Sequence, residues 1–191
     1  MDRHAESSLE QTAKAPGAME RVASRPHAAE VLSAYSAHGP ALKRFVRGLV
    51  SDEETADDIV QETFLRLVQQ LQANGALIDA RPWLYRVAGN LARSRTRRAR
   101  IAERWSWLFA ARGEAAPAPD ETAIRRDEHD HIERALRVLP IDARSAFLLS
   151  VDGFSGHEIA DILGRSHGST RTLLWRARLA LREALEPEGI R

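Results

Sequence analysis

The chain has 191 residues, 43% of them hydrophobic and 29% charged, with no cysteine and a formal net charge of +1. Such a length holds one medium core or two small ones, and the composition is too apolar for wholesale disorder. The absence of thiols excludes disulfides, thiolate metal sites and a cysteine nucleophile, and the polar start through Asp2, Arg3, His4 and Glu6 offers no secretory signal or membrane span, which points to the cytoplasm.

Residues 1–26 mix Ala, Ser, Glu and Gln with Pro16, Gly17 and Pro26 and show no sustained apolar period, so they read as a mobile tail. From His27 to Arg100 apolar residues recur at helical spacing, first Val31, Leu32 and Tyr35, then Leu42, Phe45, Val46 and Leu49, which predicts a helical domain over 27–100. Its third helix runs from about Thr55 to Ala73, with Val60, Phe64, Leu67, Val68 and Leu71 on one stripe and Asn74-Gly75 as the stop. On the polar side of that helix Asp58, Gln61 and Glu62 fall within one turn. They form either a solvated face or an acidic patch suited to a basic protein surface.

The fourth helix begins near Arg81-Pro82-Trp83, where proline suits the first turn, and continues through Leu84, Val87, Ala88 and Leu91. Arg86, Asn90, Arg93, Arg97 and Arg100 follow i, i+4, i+7, i+11 and i+14 spacing, so one face carries a basic stripe for a nucleic-acid backbone or, in the blander reading, for solvent. Trp83 and Tyr85 at its start can stack on unpaired bases or fill a core. The acids from Asp52 to Glu62 and the arginines from Arg93 to Arg104 give one protein an acidic face and a basic face.

Residues 101–126 read as a flexible linker, because Arg112 to Asp120 is rich in Ala, Pro and Gly. Trp105, Trp107, Leu108 and Phe109 are more apolar than a free linker needs and should dock on a partner or on their own domain. A second helical domain follows over 127–187: Asp127 to Leu139 ends at Pro140, and Asp142 to Val151 ends at Asp152-Gly153. Ser155 and Glu158 then make a capping box for a short helix closed by Gly164, and a tight turn leads to a long helix. With Ala160 allowing close crossing and Leu163, Leu173, Leu174, Ala177 and Leu181 forming a seam, this is a helix-turn-helix. On its second helix Arg171, Trp175 and Arg178 share one face with Thr172 and Arg176 beside them, as a recognition helix presents donors to the major groove. Nothing alternates with strand period, so the fold class is all-α: two small helical domains on a flexible linker.

No catalytic residue, metal site or cofactor is expected. His157-Glu158-Ile-Ala-Asp161 resembles a zinc motif but ends in aspartate, and the same residues satisfy a capped helix. His129 and His131, two residues apart, diverge by about 200° on a helix and cannot share a ligand. Without a phosphate loop, nucleophile elbow or carboxylate pair, the chain does not read as an enzyme.

The run Asp57-Asp-Ile-Val-Gln-Glu-Thr-Phe-Leu-Arg-Leu67, followed by Trp83-Leu-Tyr-Arg-Val-Ala-Gly-Asn-Leu-Ala92, closely resembles region 2 of extracytoplasmic-function sigma factors, and Gly153 to Arg182 resembles their region 4. The resemblance implies that Asp58, Gln61 and Glu62 dock on the clamp helices of the polymerase β′ subunit. It implies that Asn90 and the loop Leu71 to Ala80 capture an unpaired base of the −10 element, and the basic and aromatic residues read on the same helix, Trp83, Arg86, Arg93 and Arg97, are then expected on that element too. Arg171, Thr172, Trp175 and Arg176 would read the −35 element, joined by Arg178 from the same helix face, with region 4 also contacting the β flap. A membrane-anchored anti-sigma factor is a further implied partner, and within the family the sigma factors of cobalt and nickel resistance operons are the nearest resemblance. Departures are Ser94 for a usual aspartate, Thr170 for an apolar residue and Leu173 for a frequent basic one. The competing reading is a stand-alone helix-turn-helix regulator whose N-terminal domain senses or dimerises.

Overall fold

The computed structural model describes residues 27–50, 52–75, 79–110 and 127–185, the side chains of 103–131 and 133 excepted. The readings of 1–26 as a tail, of 111–126 as linker, of the Trp105 to Phe109 side chains as a docking segment and of the His129/His131 pair lie outside those residues.

Among the described residues the two apolar runs at the start form a single helix, α1 (Ala28–Arg47), which passes straight through Pro40. Proline deletes one backbone donor inside a helix. Here Val31, Leu42, Phe45 and Val46 lie on one continuous buried stripe, and its burial outweighs that loss. Gly39 is buried beneath the Tyr35 ring, which in turn meets Phe64 edge-on at 5.0 Å.

Helix α2 (Glu53–Asn74) starts at Asp52, whose side chain accepts from the Thr55 N–H at 2.6 Å, and stops at Gly75, whose φ of 72° suits glycine. Ile59, Val60, Phe64, Leu67 and Leu71 point into the core. Helix α3 (Ala80–Ala110) presents Leu84, Tyr85, Ala88 and Ala92 to the same core. It differs from the sequence expectation at its far end: residues 101–110, read as linker, continue the helix. The stretch Arg100-Ile-Ala-Glu-Arg contains good helix formers and the first breaker is Gly113, so nothing local ends the helix earlier.

The C-terminal unit comprises α4 (Asp127–Val138), α5 (Ile141–Val151), α6 (Gly156–Leu163) and α7 (His167–Leu185). Ala135, Leu136, Leu139 and Ala143 pack on Ala177 and Leu181 to make a small core of its own.

The two units also pack on each other. Ala146, Leu149, Phe154, Ile159 and Ile162 of the C-terminal unit belong to one buried cluster with Leu42, Phe45, Leu84 and Tyr85. Tyr85 is 1% exposed, its ring 5.0 Å from Phe45 and 4.8 Å from Phe154. Burial, together with a hydrogen bond to the Asp152 carboxylate, raises its phenol well above the ordinary tyrosine range. Its stacking on unpaired bases, one of two sequence readings, is therefore replaced by a core role.

Candidate nucleic-acid interface

Local sequence sets the helix-turn-helix geometry. The Ser155 hydroxyl accepts from the Glu158 N–H at 3.3 Å, while the Glu158 carboxylate accepts from the Ser155 N–H at 2.7 Å. Hydrogen bonding to the carboxylate by the Ser155 hydroxyl, and then by the Ser155 N–H, holds the Glu158 carboxyl below its ordinary range. Helix α6 buries Ile159, Ala160 and Ile162, then Gly164 takes φ 64°, and the Arg165 N–H returns to the Ala160 carbonyl at 2.9 Å. Ser166 opens α7 by accepting from the Ser169 N–H at 3.2 Å. The imidazoles of His157 and His167 stack across the two helices at 3.9 Å. Glu158 of the zinc-like run is thus engaged in its cap, and the described residues contain no group of three or more His, Asp or Glu able to hold a metal.

On α7 the buried side holds Thr170, Ala177 and Leu181. Arg171, Thr172, Trp175, Arg176 and Arg178 are all exposed on the outer side, with Trp175 at 63%. An open tryptophan framed by guanidinium groups combines apolar area, for sugar or base methyl contact, with donors for phosphate and guanine.

The α3 stripe is placed differently. Arg86, Asn90, Arg97 and Arg100 are exposed, but Arg93 is half-buried and lies 3.5 Å from the Asp142 carboxylate at the start of α5. A second oxygen of Asp142 pairs with Arg165, and the Asn90 side-chain oxygen accepts from Arg93. Arg86, Asn90 and Arg93 form one wall of a cleft of about 510 Å³ whose other wall is α6 from Ala160 to the Arg165 turn. Trp83 packs partly against the shared core with some of its ring at the surface.

On α2 Asp58 and Gln61 are exposed and Glu62 is half-exposed. Asp58 meets Arg95 at 3.6 Å and Glu62 meets Arg66 at 2.8 Å, exposed pairs that water screens and that a partner can exchange at small cost. Leu65 stands 49% exposed, seven residues after Asp58 and so on the same face. Sequence reading passed over it as one more apolar residue, although its angular offset from the Val60–Phe64–Leu67 stripe separates it from the core.

Residues 34–101 match the family described as Sigma-70 region 2, and residues 129–181 match Sigma-70, region 4. The RNA polymerase sigma factor CarQ of Myxococcus xanthus is 31% identical over 154 residues, covering 79% of this chain and 86% of its own. The ECF RNA polymerase sigma factor EcfG of Rhodopseudomonas palustris is 32% identical over 152 residues, covering 78% and 82%. The chain belongs to the extracytoplasmic-function subfamily of sigma-70 sigma factors. Solved structures share the fold: CnrH in complex with the cytosolic domain of CnrY superposes with TM-score 0.63 at 24% identity, over 90% of this chain and 96% of that one. The sigma factor RpoE in complex with the anti-sigma factor NepR from Bartonella quintana gives 0.59 at 23%, over 84% and 99%.

A sigma factor binds core RNA polymerase and directs initiation at particular promoters. In this sigma factor two of the departures from the family pattern have a structural account. Thr170 is fully buried and its hydroxyl donates to the Ser166 carbonyl at 3.1 Å, so a polar residue is satisfied where an apolar one is usual. Leu173 packs inward against both cores, so a basic side chain there would have to leave that packing. Nothing in the structure explains Ser94.

Proposed function

We propose that this sigma factor divides its contacts by unit. Residues 27–100 bind polymerase through Asp58, Gln61 and Glu62 on the β′ clamp helices, and contact the −10 element through Trp83, Arg86, Asn90, Arg93 and Arg97. Residues 127–187 read the −35 element through Arg171, Thr172, Trp175, Arg176 and Arg178 and meet the β flap. The observation that carries this reading is the separation of an exposed acidic face on α2 from an exposed arginine–tryptophan face on α7. Acid suits a basic protein partner and arginine suits DNA.

RpoE and CnrH, which share the fold, were each solved bound to another protein, NepR and the cytosolic domain of CnrY. This sigma factor is likewise held by an anti-sigma factor, membrane-anchored, and works in the cytoplasm; among its described residues no helix is long and apolar enough to cross a membrane. A pull-down from the native host that recovers polymerase and no small inhibitor would argue against that partner.

Run-off transcription with purified core polymerase on a library of host promoter fragments tests the main reading. Initiation from a few promoters, dependent on this chain, supports it. Specific DNA binding without core and without initiation would favour the stand-alone helix-turn-helix regulator.

A further inference from the structure

The apolar run behind the arginines, Trp105, Trp107, Leu108 and Phe109, has no part in the division of contacts proposed above, yet the backbone there is regular. Helix α3 carries on to Ala110, about 46 Å from its start, although its last buried residue among the described side chains is Ala92. Past that point it leaves the core: Arg97, Arg98, Ala99, Arg100, Ile101 and Ala102 are all exposed.

We infer that this far half of α3 is a membrane-surface helix, which lays the free chain on an anionic lipid surface without spanning it. From Arg93 to Arg104 six arginines stand against one acid, Glu103. From Ile101 the large apolar residues recur at i+4, i+7 and i+8, as Trp105, Leu108 and Phe109, which places all four on one side of the helix within about 100°. By the same spacing Arg97, Arg98 and Arg104 fall at the borders of that side. A basic helix with Trp, Leu and Phe gathered on one side lies at the boundary between headgroups and acyl chains, where an indole is well placed and each arginine is drawn to anionic lipid.

Other surfaces suit this combination less. A nucleic-acid backbone satisfies the arginines but offers nothing to a row of four large apolar residues. The protein's own interior does not take up Ile101, which is 48% exposed and belongs to neither buried cluster. Among the described residues no helix is long and apolar enough to cross a membrane, so the contact is with the surface. Lipid binding would hold the chain in the plane of the membrane-anchored partner proposed above.

Flotation of the full chain with lipid vesicles provides the test. Vesicles of phosphatidylglycerol and phosphatidylethanolamine should carry the chain, vesicles of phosphatidylcholine should not, and binding should weaken as salt rises. Arg98→Gln with Arg104→Gln, neither assigned to DNA or polymerase, should lower the affinity about thirtyfold. Trp105→Ser with Phe109→Ser should lower it on the order of a hundredfold. Tryptophan emission of the parent should shift to the blue on the anionic vesicles and be quenched by lipids brominated on their acyl chains. Trp105→Phe should reduce that quenching while binding persists. Helix content by circular dichroism and binding of a −35 duplex should match the parent in every variant, because each substitution lies past Ala92; should one double variant unfold, the other and the quenching decide.

Absence of binding to the anionic vesicles, or equal binding to phosphatidylcholine, overturns the inference. So does binding that survives the apolar double variant without quenching, which is adsorption by charge alone. If the parent ignores vesicles and the apolar double variant loses affinity for core polymerase, the run is a polymerase contact instead. Run-off activity enters none of these readouts, so failure of the functional reading shows separately.

Discussion

Arg176 and Trp175 lie side by side on α7 with no partner shielding Trp175 from solvent, and the cost of leaving an indole 63% exposed makes sense only against a bound surface. Arg176→Ala should weaken −35 promoter binding by about 1–3 kcal/mol while leaving core affinity near the parent, by mobility shift and by polymerase titration respectively. Equal damage to both would remove the division of labour between units. Ser155 acts on the same surface indirectly. Its capping box fixes the angle of α6, and Ser155→Ala should cost about 1 kcal/mol in urea unfolding. Glu158 has a depressed carboxyl because Ser155 donates to it, so its contribution is present above the ordinary glutamate pKa and fades as pH falls through the lowered one. Stability followed from pH 7 into the acid range should therefore fall less steeply in Glu158→Gln than in the parent; an identical acid limb would show that the cap is not coupled to protonation. Residues of this local kind were legible in sequence, since Ser155, Glu158 and Gly164 interact within a few positions. Asp142, Arg81 and Phe154 were not, because what they touch is decided by distant chain: Asp152 lies 71 residues from Arg81.

Helix α2 shows how an element gathers a function that no single residue carries. Asp58, Gln61, Glu62 and Leu65 share a face with an apolar centre and an acidic rim, the usual anatomy of a protein contact. Asp58→Arg with Glu62→Arg should abolish holoenzyme assembly, read by co-elution with core polymerase, yet leave binding of a −35 duplex unchanged. Loss of both activities would mean that α2 is structural rather than a docking face. Helical periodicity located this element and most others to within a few residues, because a buried stripe repeats regardless of its partner. It failed in two instructive ways. Numbering the Thr55–Ala73 helix as the third implied two helices before it, but the stripe from Val31 to Val46 belongs to one, since packing overrules the hydrogen bond missing at Pro40. The end of α3 is ten residues later than the linker composition implied, because a change in composition is not a helix breaker.

Two helical units were legible as separate patterns, but their shared core was not: Leu149, Phe154 and Ile159 look in sequence like the interior of the C-terminal unit alone, whereas they join Phe45, Leu84 and Tyr85. A continuous cluster of this kind couples stability across the chain, because neither unit can unfold without exposing apolar surface of the other. Of the four tryptophans, Trp83 sits against the shared core and Trp175 on the outer face of α7, one reporter in each unit. With Trp105 and Trp107 changed to Phe, single-tryptophan chains retaining either Trp83 or Trp175 should show the same urea midpoint and the same slope. A Cβ at Gly48 would fall 2.6 Å from Leu148 Cδ1 of α5, so adding Gly48→Glu should split them into two midpoints, with each unit then resting on its own smaller core. If the parent midpoints already differ, the interface contributes too little to couple the units, and each stands on its own core.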